Sequence, residues 1–157
     1  MGAKAVILTV AGVAVLASAT HPGAPEPAVS VSHRGYEPWA RAFLDKGHWP
    51  VNGCTLGGVI AWEHTEGSPR EWHNPLDSTA PMPGSHEING DHVQSYPQPW
   101  EGLRAPVRSV TVYYPAIRAA LSAGASAQAI ADATQQPDIH GYRWGTRPFT
   151  AYCLPGR

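Results

Sequence analysis

Apolar and polar positions along the chain divide it into helical stretches on either side of one aperiodic middle segment. Pro38 stands where a first helical turn tolerates proline, Trp39-Ala40-Arg41-Ala42-Phe43-Leu44 follows, and Gly47 can end the helix. Thr55 is a good N-cap for a second helix from Leu56 to Thr65, which Gly67-Ser68-Pro69 stops. On that helix Leu56, Val59, Ile60 and Glu63 recur at i, i+3, i+4 and i+7, with Glu66 at the margin of the stripe. Beyond the aperiodic segment, Trp100 to about Tyr114 puts Leu103, Val107, Val110 and Tyr114 on one side. Pro106 must either kink that helix or sit in its first turn. Pro115 to Ser122 forms a fourth helix closed by Gly124, and Ser126 caps a fifth over Ala127 to Thr134.

Residues 69–99 show no helical period. Within them Asn89-Gly90 lies between Ser85-His86-Glu87-Ile88 and Asp91-His92-Val93-Gln94, the strongest short-range hairpin signal a sequence offers. The expected architecture is α+β: mainly helical, with a small β-hairpin lobe inserted between helices. Gln135 to Arg157 reads as irregular, with Trp144, Phe149 and Tyr152 available for packing.

The amino terminus has a different character. Lys4 precedes an apolar run to Leu16, and Ala17-Ser18-Ala19 offers the small-x-small pattern of a signal-peptidase site. The run falls short of the ~20 apolar residues that span a bilayer, so no stable membrane anchor is expected after cleavage. Residues 1–19 are therefore read as a signal peptide, 20–34 as a proline-rich linker, and 35–157 as the folded domain. The two cysteines, Cys54 and Cys153, fit an oxidising destination. A bridge between them would close a loop of ~100 residues, worth about 4–5 kcal/mol on a chain-entropy argument.

Composition narrows the partners. Charged residues make up 15% of the 157-residue chain, below the roughly 25% usual for globular proteins, and the net charge is −1. Phosphate-backbone binding needs a basic stripe, and none is present, so nucleic acid is not expected as a partner. Glycine and proline, 16 of each, point to a loop-rich fold. The eight histidines fall into neither an HExxH pattern nor a cysteine–histidine cluster, so neither a metal nor another cofactor is expected.

Chemistry centres on the second helix. Glu66 is its last strong residue, where carbonyl dipoles disfavour negative charge, and it borders an apolar face. Both effects raise a carboxyl pKa, as a general acid for a glycosidic oxygen requires. Glu63 is the second choice for that role, with pairing to Arg108 or Arg118 as its structural alternative. Asp77 and Asp91 are candidates for a water-activating base, although each also suits a turn. If neither serves, Glu66 could act alone, protonating the leaving oxygen and then deprotonating the substrate's own hydroxyl, as in a lytic transglycosylase. Sugars need flat apolar faces and amide or hydroxyl groups, which Asn74, Thr79, Asn89, Tyr96, Tyr113 and Trp144 could supply.

A resemblance gives this chemistry a setting. Ala61-Trp62-x-x-x-Glu66-Gly67 is followed by Asn74-Pro75-Leu76-x-x-Thr79, Pro83-Gly84-Ser85, Asn89 and Val93-x-x-Tyr96-Pro97. Gly102-Leu103-x-Ala105, Tyr114-Pro115-x-Ile117-x-x-Ala120-Leu121-x-x-Gly124 and Trp144-Gly145-Thr146 continue the series. In order and spacing this resembles the lysozyme-like proteins of actinobacteria and their phages over roughly residues 55–146. The resemblance implies a lysozyme-like fold, a secreted or cell-wall location, and cleavage of peptidoglycan between its two sugars by a monomer with Glu66 as catalytic acid. Three positions depart from the pattern. Asp77 and Glu63 replace a usual asparagine and an uncharged residue, and Pro106 falls in a helix that commonly lacks proline.

Two other functions remain open on the residues. The domain could bind glycan, or serve as a virion or surface component, without catalysis. Alternatively, Cys54 at a helix start could be the nucleophile of a cell-wall cysteine peptidase.

Overall fold

The computed structural model describes residues 35–145 and 147–155. The expected signal peptide and linker, and Thr146, lie outside the described residues. In chain order the elements are α1 (Glu37–Lys46), α2 (Gly53–Glu66), a 3-10 turn (Arg70–Trp72), β1 (His86–Glu87), β2 (Gln94–Ser95), α3 (Pro99–Val112), α4 (Pro115–Ser122) and α5 (Ala127–Thr134). The fold is thus mainly helical with one small antiparallel sheet.

Helix α2 begins three residues earlier than Thr55 capping would have it, because Asn52 is the cap. Its side-chain oxygen accepts from the backbone N–H groups of Cys54 and Thr55, each at 2.9 Å. Thr55 returns the bond, its hydroxyl accepting from the Asn52 N–H at 3.0 Å and donating to the Pro50 carbonyl at 2.7 Å. At the far end Gly67 takes up the left-handed conformation, φ 70°, that closes the helix directly after Glu66.

The apolar stripe expected on α2 is buried as read, but the buried surface extends further round the helix. Leu56, Val59, Ile60 and Glu63 are joined by Gly57, Gly58 and Trp62, so α2 is the central helix, packed between α1 and α5. Its glycines explain the approach of the chain's last segment. A Cβ on Gly53 or Gly57 would overlap the carbonyl of Leu154 or Tyr152, respectively. The tail therefore crosses α2 at these two positions, one turn apart, and the Leu154 N–H donates to the Gly53 carbonyl at 2.8 Å. Between them, the Cys54–Cys153 disulfide fixes the crossing with the Cα atoms 3.9 Å apart.

The hairpin forms where Asn89-Gly90 pointed, but with a different loop. His86 pairs with Ser95 and Glu87 with Gln94, and the Ile88 N–H donates to the Val93 carbonyl. The left-handed residue of the loop is His92, φ 63°, not Gly90. Asn89 builds the turn with its side chain, whose oxygen accepts from the N–H groups of Asp91 and Val93, each at 3.1 Å.

On α3 the buried face is rotated from the one expected. Gly102, Ala105, Pro106, Ser109 and Val110 face inward while Leu103 and Val107 are half-buried. The cause is a close approach: a Cβ on Gly102 would overlap the His73 carbonyl, so the small residues turn toward the neighbouring chain. Pro106 sits inside this helix, beyond its first turn, and is buried. The core itself is strongly aromatic. Phe43 stacks on Trp39 at 5.3 Å, tilts against Trp49 at 5.1 Å and meets the Trp62 ring edge-on at 6.3 Å.

Candidate active site

Three pieces of chain, distant in sequence, meet at the C-terminal end of α2: that helix end, the turn at residues 74–78, and the pair Trp144 and Arg147. Indole groups join them. Trp62 is fully buried and donates its indole N–H to the Glu66 carboxyl at 3.2 Å. Trp144 meets the Trp62 ring edge-on at 5.0 Å and donates its own indole N–H to the Leu76 carbonyl at 2.7 Å. Tyr114 tilts against the other side of Trp144 at 4.8 Å.

Glu66 is half-buried in this junction and its carboxyl is pushed up to about 7. Burial is the main cause, and the negative charge of Asp77 adds to it. The Trp62 indole and the Arg147 cation act in the opposite direction without cancelling the rise. Arg147 spends its guanidinium elsewhere, donating to the Thr65 carbonyl at 3.0 Å. It therefore caps the end of α2 and reaches Glu66 only through space.

Asp77 is also raised, to about 6, by burial. Of the two carboxyls it ionises first, and its charge then opposes ionisation of Glu66. The two carboxyls therefore titrate as a coupled pair, Glu66 being the one whose ionisation its neighbour opposes. The Asp77 backbone is left-handed, φ 51°, an unusual conformation for a residue other than glycine. Its Oδ1 is buried and accepts no hydrogen bond from any group among the described residues.

The other residues singled out from the sequence divide into those near this junction and those engaged elsewhere. Asn74 is fully buried. Its amide donates to the carbonyls of Ser78 and Gln94 at 2.9 and 2.6 Å, and its oxygen accepts from the Ser78 N–H at 2.8 Å. It ties the turn to β2, and no face of it is left for a sugar. Tyr96 is also buried, its hydroxyl donating to the Ala80 carbonyl at 2.8 Å and its phenol pushed up to about 12 by burial. Asn89 is exposed but builds the hairpin loop. Thr79 is exposed beside the turn, and Trp144 is half-buried within the junction itself. Tyr113 is half-buried, its ring 5.8 Å from His140.

Glu63 lies one turn before Glu66 and faces differently. It is 3% exposed and lines a cavity of about 190 Å³ with Tyr36, Trp39, His73, Pro75 and Pro99. Neither Glu66 nor Asp77 lines that cavity, although Pro75, from the turn that carries Asp77, does. The pairing with Arg118 is not made, since that guanidinium donates to the Thr111 carbonyl at 2.8 Å, and Arg108 is exposed on α3. Glu101 also carries a buried oxygen without a hydrogen bond, but it sits in the first turn of α3, where the helix dipole favours negative charge. Cys54 is bound in the disulfide, which removes it as a thiolate nucleophile.

Compared with known protein families, with characterised proteins and with solved structures, the chain matches none. Two contributors to the junction were not read from the sequence. Trp62 entered only as part of the Ala61-Trp62-x-x-x-Glu66 pattern and was given no role, although its i, i+4 spacing to Glu66 put both on one helix face. Arg147 gave no signal, because 82 residues separate it from the Thr65 carbonyl it meets.

Proposed function

We propose that the protein is a lysozyme-like enzyme that cuts the glycan strand of peptidoglycan, with Glu66 as the proton donor to the glycosidic oxygen. One observation carries this reading. A half-buried glutamate at a helix end stays protonated up to about pH 7 beside a second carboxyl that ionises at about 6. Glycoside cleavage asks for this division of labour: one carboxyl neutral and able to donate, the other charged and able to stabilise or attack.

The order of parts supports the same reading. An acid ending a buried helix, followed by a turn and a small hairpin, is what the resemblance to lysozyme-like proteins implies. Trp144, packed on the Trp62 indole that bonds Glu66, offers an aromatic edge for sugar contacts, and Thr79, exposed two residues after Asp77, offers a hydroxyl. The disulfide supports an exported, wall-acting protein, since such bonds persist in oxidising compartments. A binding-only domain would leave the strained Asp77 and the raised pair without a purpose.

The test is digestion of purified peptidoglycan, with mass spectrometry of the soluble products. Wild-type protein is expected to release muropeptides cut between the sugars, and Glu66→Gln to release none while melting no lower than wild type. Full activity in Glu66→Gln would refute the assignment of the acid.

A further inference from the structure

Resting on the glycan-cleaving reading, we infer that Asp77 is the general base that activates the attacking water, making the reaction a hydrolysis with inversion at the anomeric carbon. A transglycosylase needs only one carboxyl, and nothing in its chemistry calls for a second one held in strain. Here the second is held firmly. The Asp77 N–H donates to the Asn74 carbonyl at 3.2 Å, and the next residue, Ser78, donates its N–H to the Asn74 side chain at 2.8 Å. On the other side, the Leu76 carbonyl accepts from Trp144 at 2.7 Å. The backbone is thus tied before, at and after Asp77, which keeps a left-handed aspartate in place. Strain maintained in this way concentrates at functional positions.

The carboxyl that this backbone presents is poorly provided for. Buried carboxylate oxygens in folded proteins nearly always accept hydrogen bonds, yet Oδ1 of Asp77 accepts none among the described residues. A nucleophilic carboxylate is better served by donors that keep it ionised and weakly basic. A base is better served by the opposite, an oxygen with unspent acceptor capacity and a pKa near working pH, and Asp77 ionises at about 6. In the reaction, the glycosidic C1–O bond breaks and the Glu66 proton goes to the leaving oxygen. A water oxygen bonds C1 from the opposite face and its proton goes to Asp77. The pair ends with the proton on Asp77 and regains its starting state by proton exchange with solvent.

Asp77→Asn separates this role from a structural one, because asparagine tolerates the left-handed region well and keeps the side-chain shape. Three readouts are needed on purified peptidoglycan and its soluble fragments. The wild type is expected to give reducing-end products whose first-formed anomer, followed by NMR, is α from the β-linked strand. Asp77→Asn is expected to lose about 100-fold or more in kcat with KM little changed. Azide is expected to restore turnover to Asp77→Ala as an α-glycosyl azide, a result that a purely structural role would not give.

A first-formed β anomer, anhydro products, or full activity in Asp77→Asn would each overturn the inference while leaving Glu66-dependent glycan cleavage intact. Wild-type protein that leaves the glycan uncut would overturn both.

Discussion

At the scale of single residues, the site depends on a carboxyl made reluctant to ionise. Glu66 in the folded chain titrates near 7 against an ordinary 4.5, so the folded state binds its proton more tightly than the unfolded chain does. The stability that this proton contributes is complete below about pH 4.5 and is lost as pH rises through 7. Glu66→Gln, which does not titrate, is therefore expected to melt like wild type at pH 4 and above it at pH 8. Allowing for the partial exposure of Glu66, the difference is on the order of 1–2 kcal/mol, readable from denaturant curves at the two pH values. Activity is expected to follow a bell, falling below about pH 6 as Asp77 takes up a proton and above about pH 7 as Glu66 loses its own. A rate profile on soluble fragments between pH 4 and 9 checks both limbs.

At the scale of elements, what matters is how α2 begins, ends and is braced. Asn52→Ala removes the acceptor for two N–H groups and is expected to cost about 0.5–2 kcal/mol with the pH profile unchanged. Arg147→Ala acts at the other end. Loss of a cation that reaches Glu66 through space is expected to raise the carboxyl further and to move the alkaline limb upward, less at high salt. Trp144→Phe keeps an aromatic ring against Trp62 but leaves the Leu76 carbonyl without its donor. It is expected to lower the melt by about 1 kcal/mol and to lower kcat more than it alters KM, as the hold on Asp77 slackens.

The helices were legible because their signals are local: Pro38, Gly47, Ser126 and Gly124 mark ends with backbone chemistry that no tertiary contact had to overrule. The α2 start was misread by three residues because Asn52 and Thr55 cap reciprocally, and either could be taken for the cap. The α3 face was misread for a tertiary reason, the passage of the His73 carbonyl over Gly102, which periodicity cannot register.

At the scale of the whole molecule, the site lies between segments that only the completed fold brings together. Glu66 was readable from its place at a helix end, and Asp77 from its turn, but the indole linkage from Trp62 through Trp144 to Leu76 joins positions up to 82 residues apart and left no trace in spacing. Asn74 and Tyr96 show the converse. Their polar groups looked suited to sugar, and the fold uses both to pin the hairpin lobe to the turn that carries Asp77.

The disulfide acts on this same scale, closing a span of 99 residues from the start of α2 to the tail that crosses it. Replacing both cysteines by alanine is expected to cost about 4–5 kcal/mol in unfolding while leaving the activity of the folded fraction and its pH profile unchanged, since neither sulfur reaches the carboxyl pair. Equilibrium unfolding beside wall digestion at low temperature checks the two halves of that expectation.

The most direct measurement is a titration of the position-66 side chain by carbon-detected NMR, with the resonance assigned by its disappearance in Glu66→Gln. A midpoint near pH 7, moved downward in Asp77→Asn, is expected for a proton donor held neutral by burial and by its neighbour's charge. A midpoint at or below the ordinary 4.5, indifferent to residue 77, would contradict it.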